Sequence, residues 1–141
     1  MFCREIMKPD VRYVTPQTTV AQVAVLMRDE QIGFIPICDE ARKVIGIVTD
    51  RDIVVRVVAE SESPNDPIAR FMTPDVIACR STDDLSVAQD LMGEMQVSRM
   101  LCLDEAGQLE GVISLSDIAQ TADGLRAVAT LRSVTLREAR A

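Results

Sequence analysis

Sliding the sequence along itself by 65 residues lays one half on the other without a gap. Met7-Lys8-Pro9-Asp10-Val11 falls on Met72-Thr73-Pro74-Asp75-Val76, Leu26-Met27 on Leu91-Met92, and Gln31 on Gln96. Asp39-Glu40-Ala41 falls on Asp104-Glu105-Ala106, Gly46 on Gly111, and Asp52-Ile53 on Asp117-Ile118. Between Met7 and Ile53 this makes 13 identities in 47 positions, with further matches in kind such as Ile47/Val112, Val48/Ile113 and Thr49/Ser114. The chain is a tandem duplication, and whatever one copy builds the other builds again.

Each copy predicts the order β-α-β-β-α. A short apolar strand (Val11 to Val14; Val76 to Cys79) runs into Thr18-Thr19 or Ser81-Thr82-Asp83, which are good helix N-caps. The helix that follows shows apolar Val20, Val23, Ala24 and Met27 in copy one, and Leu85, Ala88, Leu91, Met92 and Met95 in copy two. Two β-branched strands joined by a polar turn come next: Phe34 to Cys38 and Val44 to Val48, then Arg99 to Leu103 and Leu109 to Ile113. A second helix begins at Thr49 or Ser114. The boundaries expected are 5–60 for the first motif, 61–69 for the linker, 70–121 for the second motif and 122–141 for a C-terminal tail. The linker Ser61-Glu62-Ser63-Pro64-Asn65-Asp66-Pro67 is rich in breakers. A three-stranded sheet alone cannot cover its apolar face, so the expected fold is α+β, with two pseudo-symmetric motifs packed sheet to sheet and two equivalent clefts between them.

Composition narrows the chemistry. There is no histidine in the 141 residues, which removes His-based triads, zincin motifs and His metal cages. The net charge is −7 and the basic residues are scattered, so no face is prepared for nucleic acid. Cys3, Cys38, Cys79 and Cys102 form no CxxC pair; Cys38 and Cys102 sit in apolar runs, where cysteine acts as a small buried hydrophobe. MFCREIMKPD has no signal-like apolar run, and no stretch reaches membrane-spanning length, so the expectation is a soluble protein in a reducing cytoplasm.

The strongest local motif is Gly46-Ile-Val-Thr49-Asp50-Arg51-Asp52 with its copy Gly111-Val-Ile-Ser114-Leu115-Ser116-Asp117. A strand ends in a hydroxyl, and an acid follows three residues later in the first turn of a helix. One reading is a capping box, in which hydroxyl and carboxylate satisfy backbone N–H groups. Another is a ligand site, in which the same two groups take the hydroxyls of a ribose and the helix start favours an anion. The readings are compatible. No nucleophile stands beside a base, so neither is catalytic.

The segments IMKPD…V, QIGFIPICDE and KVIGIVTDRDIV, then FMTPDV, QVSRMLCLDE and QLEGVISLSDIA, resemble the cystathionine-β-synthase (CBS) domain family arranged as a tandem pair, the Bateman module, of the small stand-alone bacterial type. The resemblance covers about residues 5 to 121. It implies a non-catalytic, regulatory module that binds adenosine-containing ligands (AMP, ADP or ATP, in some members NAD or S-adenosylmethionine) and forms a homodimer, with no cofactor required and AMP or ATP the first candidates. In the family each cleft is shared between copies. Carried over, site A would use Thr49, Arg51 and Asp52 with Val76, Ile77, Val97, Ser98 and Arg99. Site B would use Ser114, Ser116 and Asp117 with Asp10, Val11, Arg12, Ile32, Gly33 and Phe34. Arg99 and Arg51 give site A two guanidinium groups for phosphate, whereas Phe34 and Ser116 stand at the matching places of site B and leave Arg12 as its nearest cation. Leu101 in place of Pro36 and Glu110 in place of Ile45 depart from the first copy. The competing reading is a structural dimerisation or partner-docking module with unoccupied clefts, and the target it would act on is not named by the sequence.

The tail carries Leu125, Val128, Leu131 and Val134 at intervals of three, with Arg126, Arg132, Arg137 and Arg140 among them. It reads as an amphipathic helix that docks on the pair or on a second subunit, or as a frayed terminus.

Overall fold

The structure is a computed structural model that describes residues 1–121 and 124–139. It is α+β, with two small sheets. The chain divides into two compact units, a central one from Arg12 to Val76 and a terminal one that joins Met1–Val11 to the residues from Ile77 onward. Among the described residues no helix is long and apolar enough to cross a membrane.

The central unit holds α1 (Val20–Glu30), the hairpin β1 (Phe34–Cys38) and β2 (Val44–Thr49), and α2 (Asp50–Asp52), which runs on as a π-helical stretch over Ile53–Val58. Thr19 caps α1 by accepting from the Gln22 N–H at 3.2 Å, while the Gln22 side chain accepts from the Thr19 N–H at 3.0 Å. The hairpin turn is held by Asp39, whose Oδ1 accepts from the N–H groups of Ala41 and Lys43, both at 2.9 Å. The expected strand from Val11 to Val14 reduces to one parallel bridge, Val14 with Ile37. Pro36 in β1 offers no N–H, so the ladder stops after Val14 N–H meets the Pro36 carbonyl and Cys38 N–H meets the Val14 carbonyl.

The terminal unit repeats the scheme with β3 (Ala78–Arg80), α3 (Leu85–Met95), β4 (Arg99–Leu103), β5 (Leu109–Ser114) and α4 (Leu115–Thr121), then adds α5 (Gly124–Ala139). Here β3 is a full strand, parallel to β4: Ser81 N–H donates to the Leu103 carbonyl at 3.3 Å, where copy one has Pro16 with no N–H, and Leu101 stands in place of Pro36. Asp104 holds the turn as Asp39 does, with Ala106 and Gln108 as donors. Helices α1 and α3 both end on a left-handed glutamine, Gln31 and Gln96, at φ 54° and 55°.

The units are offset from the sequence repeats because each copy is completed by the segment that precedes the other. In the central unit the linker returns to the start of α1: Val20 N–H donates to the Asp66 carbonyl, Ile68 N–H to Thr18 and Ala69 N–H to Pro16. Ile68 and Phe71 thereby join a core with Val14, Val20, Val23, Ile35, Ile37 and Val48. In the terminal unit the chain's own start does the same, with Leu85 N–H on Met1, Cys3 N–H on Asp83 and Arg4 N–H on Ser81. Each bond lies 65 residues from its counterpart. The glycines explain the fit: a Cβ on Gly46 would lie 2.6 Å from Met72 Sδ, and one on Gly111 would lie 2.7 Å from Met7 Sδ and 2.9 Å from the Lys8 carbonyl.

Two expected faces are corrected. Ala24 and Met95 are exposed, while Val20, Val23, Met27, Leu85, Ala88 and Met92 carry the buried stripes. Among the described side chains of α5, Ala127, Thr130 and Val134 are buried, whereas Leu125, Val128 and Leu131 face outward. A step of three falls about 60° short of a full turn, so a run of threes drifts off any one face. α5 packs on α3, where a Cβ on Gly93 would lie 2.9 Å from Ser133 Cβ and Arg126 reaches Asp90 at 2.6 Å. Residues 122, 123, 140 and 141 of the expected tail, Arg140 among them, lie outside the described residues.

Candidate functional site

Both [ST]-x-x-D motifs fold as complete capping boxes. In the central unit Thr49 ends β2 in an extended conformation and its Oγ1 accepts from the Asp52 N–H at 3.1 Å. Asp52 Oδ2 accepts from the Thr49 N–H at 2.9 Å. In the terminal unit Ser114 Oγ accepts from the Asp117 N–H at 3.1 Å, and Asp117 Oδ2 accepts from the Ser114 N–H at 2.9 Å. Strand end and helix start are thus locked by the same two short-range bonds in both copies.

The second carboxylate oxygen of each box faces a side-chain cation. Asp52 Oδ1 lies 3.8 Å from Arg56 Nη2, one helical turn on, and Arg56 Nη1 also donates to the Phe71 carbonyl at 2.9 Å. Asp117 Oδ1 lies 3.5 Å from Lys8 Nζ, brought in by the N-terminal segment, which pairs with β5 through Lys8 N–H to Val112 O and Val112 N–H to Lys8 O. The acids are mostly covered, at 19% and 14% side-chain exposure, while the cations are open, at 44% and 71%. Pairs this exposed contribute little to stability.

Each box has a neighbouring strand start. Phe34 is the register partner of Thr49, and the Gly33 carbonyl accepts from the Asp50 N–H at 3.0 Å. A Cβ on Gly33 would lie 2.7 Å from Asp50 Oδ2, so only glycine allows the Asp50 side chain to fold there. In the terminal unit Arg99 is the register partner of Ser114, and the Ser98 carbonyl accepts from the Leu115 N–H at 2.9 Å. Directly opposed residues on antiparallel strands share a face, which sets Arg99 beside Ser114.

Of the expected residues, the central unit therefore brings Ile32, Gly33 and Phe34 to Thr49, Arg51 and Asp52, and also contains Arg12 and Val76. The terminal unit brings Val97, Ser98 and Arg99 to Ser114, Ser116 and Asp117, and also contains Asp10, Val11 and Ile77. Arg51, Arg99 and Ser116 are exposed. Arg12 is paired with Glu30 at 3.4 Å. Arg56 and Lys8 were not among the expected site residues. The first was legible as a cation four residues after Asp52; the second has no local signal, because its approach depends on the returning N-terminal segment.

Comparison with known proteins shows the family and the fold. The model of the CBS domain family matches residues 3–59 and 68–124. An uncharacterized protein of Methanopyrus kandleri, MK0525, is 34% identical over 117 residues, which are 82% of this chain and 60% of that protein. Hypoxic response protein 1 of Mycobacterium tuberculosis is 32% identical over 118 residues, 83% of this chain and 82% of that one. Inosine-5'-monophosphate dehydrogenase of Aquifex aeolicus is 30% identical over 108 residues, 76% of this chain but only 21% of the enzyme. Among solved structures, Hypoxic Response Protein I with two coordinated zinc ions has a TM-score of 0.79 at 28% identity, covering 87% of this chain and all 100% of that one. CBSX2 in complex with AMP has a TM-score of 0.76 at 21% identity, over 86% of this chain and 95% of that one. The CBS domain pair of MJ0100, in complex with 5'-methylthioadenosine and S-adenosyl-L-methionine, has 0.75 at 21%, over 85% and 94%.

Proposed function

The chain belongs to the CBS domain family, and from that premise we propose that it is a regulatory module that senses an adenosine-containing nucleotide, AMP or ATP first. One observation carries the reading. In each unit the acid of the capping box commits one oxygen to the backbone and leaves the other against an exposed cation at 3.5–3.8 Å. That second oxygen is the group able to accept a ribose hydroxyl, a charge-assisted bond contributing roughly 1.5–3 kcal/mol. Solved CBS-pair structures in complex with AMP, S-adenosyl-L-methionine and 5'-methylthioadenosine support the ligand class. In this proposal site A combines Thr49, Arg51, Asp52 and Val76 with Ile77, Val97, Ser98 and Arg99. Site B combines Ser114, Ser116 and Asp117 with Asp10, Val11, Arg12, Ile32, Gly33 and Phe34. Arg99 and Arg51 receive phosphate. The module acts on a target protein as a cytoplasmic homodimer, without catalysis, through a ligand that binds two conformations unequally.

A purely structural docking module is the second reading, favoured by the fact that both boxes are hydrogen-bonded in full without any ligand. Thermal shift with AMP, ADP, ATP, NAD and S-adenosylmethionine separates the two. A nucleotide at 100 times its Kd stabilises by about 2.7 kcal/mol. Asp52→Asn keeps an acceptor for the Thr49 N–H but loses the charge, and is expected to abolish the shift from site A. Absence of any shift across the panel would establish the structural reading instead.

A further inference from the structure

Three of the four cysteines meet in the core of the terminal unit. Cys79 Sγ lies 3.8 Å from Cys3 Sγ and 3.5 Å from Cys102 Sγ, and all three are buried. Packing alone does not call for sulfur here. The positions 65 residues away in the central unit are Ile68, Val14 and Ile37, which occupy its core as aliphatic side chains. The duplication thus holds a control: the three matching core positions are hydrocarbon in one copy and thiol in the other.

We propose that this cluster is a thiol-oxidation site, in which Cys3 and Cys79 form a disulfide that staples the N-terminal segment to the terminal unit. Disulfide formation needs the sulfurs to close to about 2.05 Å. Cys79 and Cys102 are register partners on β3 and β4, where the parallel ladder fixes both backbones and leaves neither free to turn its sulfur toward the other. Cys3 sits on a three-residue turn, Cys3–Glu5, in a segment joined to the unit by single backbone hydrogen bonds at Met1, Cys3 and Arg4 rather than by a strand ladder, so it shifts and opens at lower cost than β3 or β4. The Cys79 thiol is pushed up to about 12, first by its hydrogen bond to Cys102 and also by burial, and the Cys3 thiol is raised by its hydrogen bond to Cys79 and by burial. The closed cluster is therefore protonated and inert, and reaction runs through opening of the N-terminal segment.

The oxidant is a small-molecule disulfide such as oxidised glutathione. Cys3, deprotonated when exposed, attacks one glutathione sulfur and expels one glutathione thiolate. Cys79, having lost its proton, then attacks the Cys3 sulfur and expels the second. The two protons end on the two glutathione thiols, the protein gives up two electrons, and the small disulfide gains them. The new bond spans 76 residues and encloses the whole central unit in a covalent loop.

Peptide mapping by mass spectrometry after treatment of the full chain with oxidised glutathione tests this. The expected result is a Cys3–Cys79 linked peptide, with a melting temperature higher by roughly 10 °C that reverts on reduction. Cys102→Ala should retain the link. Cys3→Ile, which installs the residue of the sister position, should fold and show neither link nor shift. A dominant Cys79–Cys102 link, glutathione adducts without a cross-link, or no oxidation at all would overturn the proposal, as would an oxidation-dependent shift that survives Cys3→Ile. None of these readouts depends on nucleotide binding.

Discussion

Asp52 and Asp117 divide their oxygens between two tasks, and the division decides what a substitution does. One oxygen fixes the strand-to-helix corner, so loss of the whole carboxylate also weakens the fold, by about 1 kcal/mol for a lost cap. Asparagine separates the two effects, which is why it is the informative variant. Gly111 makes a different demand: a Cβ there would run into Met7 Sδ and the Lys8 carbonyl, and the backbone oxygen has no room to yield. Gly111→Ala is expected to cost about 1–3 kcal/mol, measured by urea unfolding. The thiols set a pH dependence. Cys79 is raised from its ordinary 9.0 to about 12 in the folded state. Above pH 9 the unfolded chain loses a proton that the folded one keeps, so this contribution to stability is complete below about pH 9 and is lost as pH rises toward 12. The urea midpoint should fall between about pH 8 and about pH 10.5, and Cys79→Val, the residue of the sister position, should lessen that fall without removing it, since burial raises Cys38 as well.

At the scale of elements, α5 shows how a sequence stripe can mislead. Leu125, Val128 and Leu131 are the most conspicuous apolar residues of the tail, yet they face outward, and the docking face is built from Ala127, Thr130 and Val134. At the crossing with α3 a Cβ on Gly93 would lie 2.9 Å from Ser133 Cβ, so the two helices approach closely there. Val134→Ala is expected to destabilise by about 2 kcal/mol, and Leu125→Ala by no more than about 0.5 kcal/mol, in thermal or urea unfolding. Equal losses would place the contact face on the wrong side of the helix. The strands tell a similar story: β3 forms and its counterpart at Val14 does not extend, because copy one has Pro16 and Pro36, which lack an N–H, where copy two has Ser81 and Leu101.

For the whole molecule, the compact units are offset from the sequence repeats. The central unit keeps its linker, with Ile68 and Phe71 in its core, so a fragment of residues 12–76 should retain its ellipticity signal and unfold cooperatively, whereas residues 5–60 should not. Comparable cooperative unfolding of the two fragments would remove the linker from the unit's core. The sequence by itself determined the duplication, the order of helices and hairpins, the polar hairpin turns and both capping boxes, since each rests on residues within a few positions of one another or on a fixed offset. Only the tertiary structure decided which segment completes which copy, which face of α5 docks, that Lys8 stands against Asp117, and that Cys3, Cys79 and Cys102 touch. Those contacts join residues tens of positions apart, where side-chain periodicity carries no information and only close packing selects the partner.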